Sequence, residues 1–350
     1  MFQTSVELLA FLFKATPFLF SLVILTFLAV KFSKSIKKHS NYYYWGFGIL
    51  SFLFAFPVFA RLCGFEVPFN VSSIPVIGTI SRELSSAAYF IHPVLVIIMA
   101  MGAFSPKISM IGKLMTIRKE LSIIVGFPLI AHLAKRLFST FPSAWKYFAQ
   151  YEESITNPKV VSELGSNIQN GVFVLGIVMT VFFLVLWVTS FDGVRRKMGS
   201  KNWKKVQKWS YGLYAMLFIH ATGLQLGGVI NSYATQRIQQ ETAIHSTHNR
   251  GETSTKGGEQ HSHGNQQQVK QQGGEQHSHG NQQAAPQQGG QQAQRKGGHS
   301  HGPKGFSFSD VELSRAQKGI LNIIIYILVY GSYLYFRIKK AKADKARRNR

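Results

Sequence analysis

Seven apolar runs dominate this chain: Leu8–Val30, Tyr43–Cys63, Ser86–Phe104, Leu121–Leu137, Ile168–Phe191, Tyr211–Ile230 and Gly319–Ile338. At roughly 18–25 residues, each is long enough to cross about 30 Å of hydrocarbon. Lipid offers no partner to a backbone N–H or C=O, so continuous runs of this kind mean helices. The expected fold is therefore an all-α, polytopic transmembrane helix bundle of about seven spans. The mean hydropathy of only +0.04 averages these spans with one very polar insert. Cys63 is the single cysteine, which excludes an intrachain disulfide or a thiolate metal cluster. The N-terminus lacks a basic stretch and an A-x-A site, so no cleavable signal peptide is expected.

A net charge of +24 points to nucleic acid until it is mapped. The cations gather after the first run (Lys31, Lys34, Lys37, Lys38), the third (Lys107, Lys113, Arg118, Lys119), the fifth (from Arg195 to Lys208) and the last (from Arg337 to Arg350). With seven spans all four clusters share one face, and the positive-inside rule makes that face cytoplasmic. The charge reads as a topology signal with no nucleic acid partner: N-terminus outside, C-terminus cytoplasmic. Membrane lipid is the expected partner, and some of these cations suit anionic headgroups.

Between the sixth and seventh runs lies a Gln-, Gly- and His-rich insert, about Gln236–Gly305, with too few apolar residues to bury a core; it is expected to be disordered. Gly257–Gln267 recurs as Gly273–Gln283, and a third His-Ser-His-Gly stands at His299–Gly302. The His-x-His pairs His261/His263, His277/His279 and His299/His301 suit Cu, Zn, Ni or Fe, and topology puts them outside the cytoplasm. A solvated linker with incidental histidines is the plainer reading. The chain thus divides into 1–41 (an additional helix and basic loop), 42–235 (the main bundle), 236–310 (the insert) and 311–350 (last helix and basic tail).

Three histidines sit inside apolar runs: His92, His132 and His220. An imidazole in hydrocarbon is costly without a partner. One alone suits helix packing, whereas two helices each offering a nitrogen at similar depth can hold a haem between them. His132 and His220 are the candidate axial ligands. His92, followed by Pro93, is either a substitute ligand or bonded to a backbone carbonyl that the proline frees.

A third pattern runs from the fifth helix end: Thr189-Ser190-Phe191-Asp192, then Arg195-Arg196-Lys197-Met198-Gly199, Trp203-Lys204-Lys205-Val206-Gln207, Tyr211 and His220. It resembles the ferric reductase-like transmembrane domain family, above all its short bacterial members, the MsrQ-type haem-binding membrane subunits. In these a Thr-Ser helix end is followed by Arg-x-Leu-Gly, Trp-x-x-Leu-His, a Tyr and a later His. Arg118 before the helix of His132, and Ser105-Pro106 after the third run, match further parts of the pattern. The likeness covers about Tyr43–Lys342, with the insert as an addition. It implies a haem b between His132 and His220. Gln207 replaces the family histidine on the cytoplasmic side and Arg118 stands fourteen residues before His132, so a second haem would need other ligands. Arg118 is a candidate partner of a haem propionate or of a quinone or flavin (FMN) headgroup.

No Gly-rich nucleotide loop follows a strand-like segment, so electrons must come from a cytoplasmic flavin reductase, a bound flavin or a quinone. The expected function is an electron relay across the inner membrane to an outside acceptor, either a periplasmic reductase partner or a metal ion such as ferric iron or copper. That leaves open whether the chain is itself a metal reductase or a subunit of one. A divalent-metal transporter with a His-rich loop is the alternative, although the runs hold almost no Asp or Glu. A scaffold without haem is a third reading.

Overall fold

In the computed structural model the described residues are 11, 15–65, 74–85, 87–255 and 313–348, and among them every regular element is helical. The chain divides into two compact units, 1–239 with 307–350, and 240–306. The first unit carries the features discussed below.

Helix α1 (Pro17–Lys31) leads through the basic α2 (Ser33–Lys38) into α3 (Ser40–Leu62). After α4 (Pro75–Leu84) the chain makes a wide π-helical turn, Ala87–Ile91, and enters α5 (His92–Ala100). The short α6 (Ser109–Thr116) precedes α7 (Arg118–Ser139); α8 (Phe141–Ala149) and α9 (Tyr151–Ile155) follow. The long α10 (Glu163–Val188) is joined by α11 (Asp192–Met198) and α12 (Ser200–Gln207) to α13 (Ser210–Thr255), and α14 (Arg315–Arg348) returns.

Five stretches are long and apolar enough to cross a membrane: Ser40–Leu62, Arg118–Ser139, Glu163–Val188, Ser200–His245 and Arg315–Ala346. Their outward side chains are apolar: Phe52, Val181 and Leu328 are each more than half exposed, as suits lipid and not water. The other two apolar runs behave differently. The first begins in residues outside the description, and its described helix has 15 residues. The third, expected as one helix over Ser86–Phe104, is described as the π-helical turn and α5, which ends at Ala100, and it is bent by 67° against the preceding α4 at the break between Leu84 and Tyr89. Pro93 stands in the first turn of α5, where its missing N–H leaves no helical bond unmade.

Every residue from His92 to Met99 is buried. A helix apolar on all sides belongs in the middle of a bundle, and α5 packs against α1 and α7 there. Phe18, Ile124, Val125, Tyr214, Leu217, Tyr326 and Tyr330 close the same core. Two glycines allow close crossings. A Cβ on Gly126 of α7 would lie 1.8 Å from Trp187 Nε1 of α10. A Cβ on Gly227 of α13 would lie 2.7 Å from the Gly165 carbonyl oxygen of α10. Small residues at such points let helix backbones meet in lipid.

The insert expected from 236 onward begins as helix. Helix α13 continues to Thr255, because Gln236-Arg237-Ile238-Gln239-Gln240-Glu241 are good helix formers and no Gly or Pro intervenes before Gly251.

A candidate haem-binding pair

His132 lies fourteen residues past the start of α7, and His220 ten past the start of α13. At 1.5 Å per residue these are depths of about 21 and 15 Å along their helices, equal to within about one turn. The two imidazoles are within electrostatic reach of each other.

Each ring is fixed by a backbone carbonyl. His132 Nδ1 lies 3.0 Å from the Ser85 carbonyl oxygen, and His220 Nδ1 lies 2.7 Å from that of Val172. A carbonyl oxygen only accepts, so in both rings Nδ1 carries the hydrogen. In the neutral ring Nε2 then holds the lone pair, which is the arrangement that metal-bound histidines use. The supports come from particular features of the chain. Ser85 ends α4 at the break before Pro93, where a helix has carbonyls to spare. Val172 lies one turn before Gly176, which the His220 ring packs against: a Cβ there would make ordinary contact, 3.6 Å from Cε1. The residues present therefore fit a haem iron in donor type, tautomer and depth.

His92 is differently engaged. Its Nε2 lies 2.8 Å from the Tyr330 hydroxyl of α14, and its ring packs 4.6 Å from Phe18 and 5.1 Å from Tyr326 between centroids. Neither expectation for His92, ligand or partner of a freed carbonyl, describes this bond. It ties the central helix α5 to the last helix, across 238 residues of sequence.

Arg118 opens α7, nearly four turns from His132, and is close to Tyr214 and Tyr333 instead. The sequence reading passed over Arg136, one turn beyond His132 on the same helical face. Arg136 is within electrostatic reach of both His132 and His220, and its Nη1 donates to Thr140 Oγ1 at 3.3 Å. The four-residue spacing was the available signal.

The motif around Thr189 folds into one knot. Gln207 Nε2 donates to Thr189 Oγ1 at 3.1 Å, Trp203 Nε1 to the Thr189 carbonyl at 2.9 Å, and the Arg195 guanidinium covers the Trp203 ring at 4.6 Å. Gln207 is thus spent on the helix end. Beside it, Lys119 Nζ donates to Asp192 Oδ2 at 2.8 Å, a bond that holds the Asp192 carboxyl below the usual aspartate range.

His261, His263, His277, His279, His299 and His301 lie outside the described residues. Among the described ones no three His, Cys, Asp or Glu side chains gather as a metal site.

No family model matches the chain, and no solved structure matches it. An uncharacterised protein of Treponema pallidum (strain Nichols) is 37% identical over 70 residues, which is 19% of this chain and 19% of that protein's length.

Proposed function

We propose that the protein is a b-type cytochrome of the bacterial inner membrane that relays electrons outward to an extracytoplasmic acceptor, with one haem b held by His132 and His220. The observation that carries this reading is the pair of Nδ1–carbonyl bonds, which leaves both Nε2 atoms as donors to a metal. Bound there, haem supplies one-electron chemistry at a potential set by its ligands and surroundings. The chain contributes neutral imidazoles in fixed orientation, an apolar surround that excludes water, and the Arg136 guanidinium as a cationic partner for the haem carboxylates. Gln207 provides no second ligand on the inner side, which supports one haem per chain.

In this reading the seven apolar runs each cross the bilayer, with the N-terminus outside and the four basic clusters cytoplasmic. The electron donor is a cytoplasmic flavin reductase or a quinone, and basic residues on that face favour an acidic donor. The acceptor is a periplasmic reductase or, with the His-rich insert collecting it, a ferric or cupric ion.

The test is a visible spectrum of the detergent-purified protein, oxidised and dithionite-reduced, beside His132→Ala and His220→Ala. A sharp reduced b-type α band that both substitutions abolish is the expected result. A colourless wild type from haem-replete cells overturns the proposal and brings metal handling by the insert to the front.

A further inference from the structure

Between α3 and α7 lies a groove of about 420 Å³, lined by Asn41, Tyr44, Trp45, Gly48, Ile49, Phe52 and Phe127. Gly48 provides its width: a Cβ there would already stand 3.7 Å from the Phe127 ring. From Asn41 to Phe52 the groove follows α3 for about 16 Å, half of the roughly 30 Å hydrocarbon layer and so the depth of one leaflet. The lining residues that carry polar groups, Asn41, Tyr44 and Trp45, all stand at the end where α3 begins. Deeper in, the walls are Gly, Ile and Phe.

That polar end is also the charged end. Helix α2, which leads directly into α3, carries Lys34, Lys37 and Lys38, and α7 begins there with Arg118 and Lys119. The two acids of this region are already answered. Glu120, buried with 3% of its side chain exposed, receives Lys37 Nζ at 2.8 Å, and Asp192 receives Lys119 Nζ at 2.8 Å. Lys34 and Lys38 have no carboxylate partner among the ion pairs of the described residues. The charge balance at the mouth of the groove therefore favours an anion.

We propose that this groove is a phospholipid site: one acyl chain of an anionic phospholipid lies along Gly48, Ile49, Phe52 and Phe127. Its phosphate sits at the polar end, within reach of Asn41, Tyr44 and the Lys34 and Lys38 ammonium groups. The chain depth, the placement of polar groups at one end only, and the uncompensated lysines all agree with this occupant. The site is independent of the haem pair, so each stands or falls alone.

Native mass spectrometry of the full chain tests it, with phosphatidylglycerol and phosphatidylcholine of identical acyl chains offered at equal concentration. Wild type is expected to keep one phosphatidylglycerol in preference to phosphatidylcholine by roughly tenfold, as two lysines near a headgroup allow. Gly48→Leu, which fills the groove, should lose most of the retained lipid, and Lys34→Gln/Lys38→Gln should keep a lipid without preference. Should Gly48→Leu fail to fold, quenching of Trp45 by brominated lipids in wild type, measured against Trp45→Phe, decides, with brominated phosphatidylglycerol expected to quench more. Equal retention or equal quenching by the two lipids overturns the proposal. So does undiminished lipid on folded Gly48→Leu, or a dimer that forms as lipid leaves, which would assign the groove to a second copy.

Discussion

Replacing Gly126 by alanine tests whether α7, the helix that carries His132, is positioned by Trp187. The added Cβ would lie 1.8 Å from Nε1, 2.2 Å from Cδ1 and 2.5 Å from Cε2 of that indole. Ordinary contact needs about 3.5 Å, so the ring or the α7 backbone must retreat by about 1.7 Å. A retreat of that size breaks the bond from Trp187 Nε1 to the Ile123 carbonyl, now 3.2 Å long. It also disturbs the edge-to-face contacts of the indole with Phe127 and Phe191. The lost hydrogen bond is worth about 0.5–1.5 kcal/mol and overpacking about 1–3 kcal/mol. Together they give a destabilisation of about 1.5–4.5 kcal/mol, measurable by reversible unfolding in mixed micelles. In a Trp187→Ala background the same substitution has nothing to strike and should cost under about 0.5 kcal/mol, a coupling that a double-mutant cycle isolates. Wild-type stability of Gly126→Ala, or equal costs in the two backgrounds, would refute the argument.

Other consequences are equally open to measurement. His92→Ala leaves the buried Tyr330 hydroxyl without its partner and should cost about 1–3 kcal/mol of stability while the reduced α band survives; loss of the band with an intact fold would make His92 a ligand. Arg136→Gln should lower haem occupancy or the midpoint potential, Arg136→Lys should restore most of it, and Arg118→Gln should leave both unchanged; equal effects at 118 and 136 would refute the assignment. The Lys119–Asp192 bond depresses the Asp192 carboxyl, so its contribution is present above the usual aspartate range and is lost as pH falls through the lower folded value. Because both side chains are substantially exposed, Asp192→Asn should cost under about 1 kcal/mol at neutral pH, and the difference from wild type should vanish in acid. Deleting 256–305 should slow reduction of ferric or cupric ions if the insert collects them; unchanged kinetics would leave the insert without that role.

The length of the apolar runs alone determined the all-helical bundle, since hydrocarbon tolerates no other way to satisfy the backbone. The apolar runs also marked His132 and His220, because a polar residue in an apolar run stands out without any knowledge of its neighbours, whereas Gln207 stood out only through the family resemblance. What each imidazole does could not be read there. Periodicity says which face of a helix a histidine is on, but not which nitrogen meets which atom of a segment 47 or 48 residues away. Tertiary packing decided that Ser85 and Val172 take the Nδ1 hydrogens, that His92 spends itself on Tyr330, and that Arg136 stands near the pair. Only the fold showed that α4 ends at Ser85, whose carbonyl then meets His132.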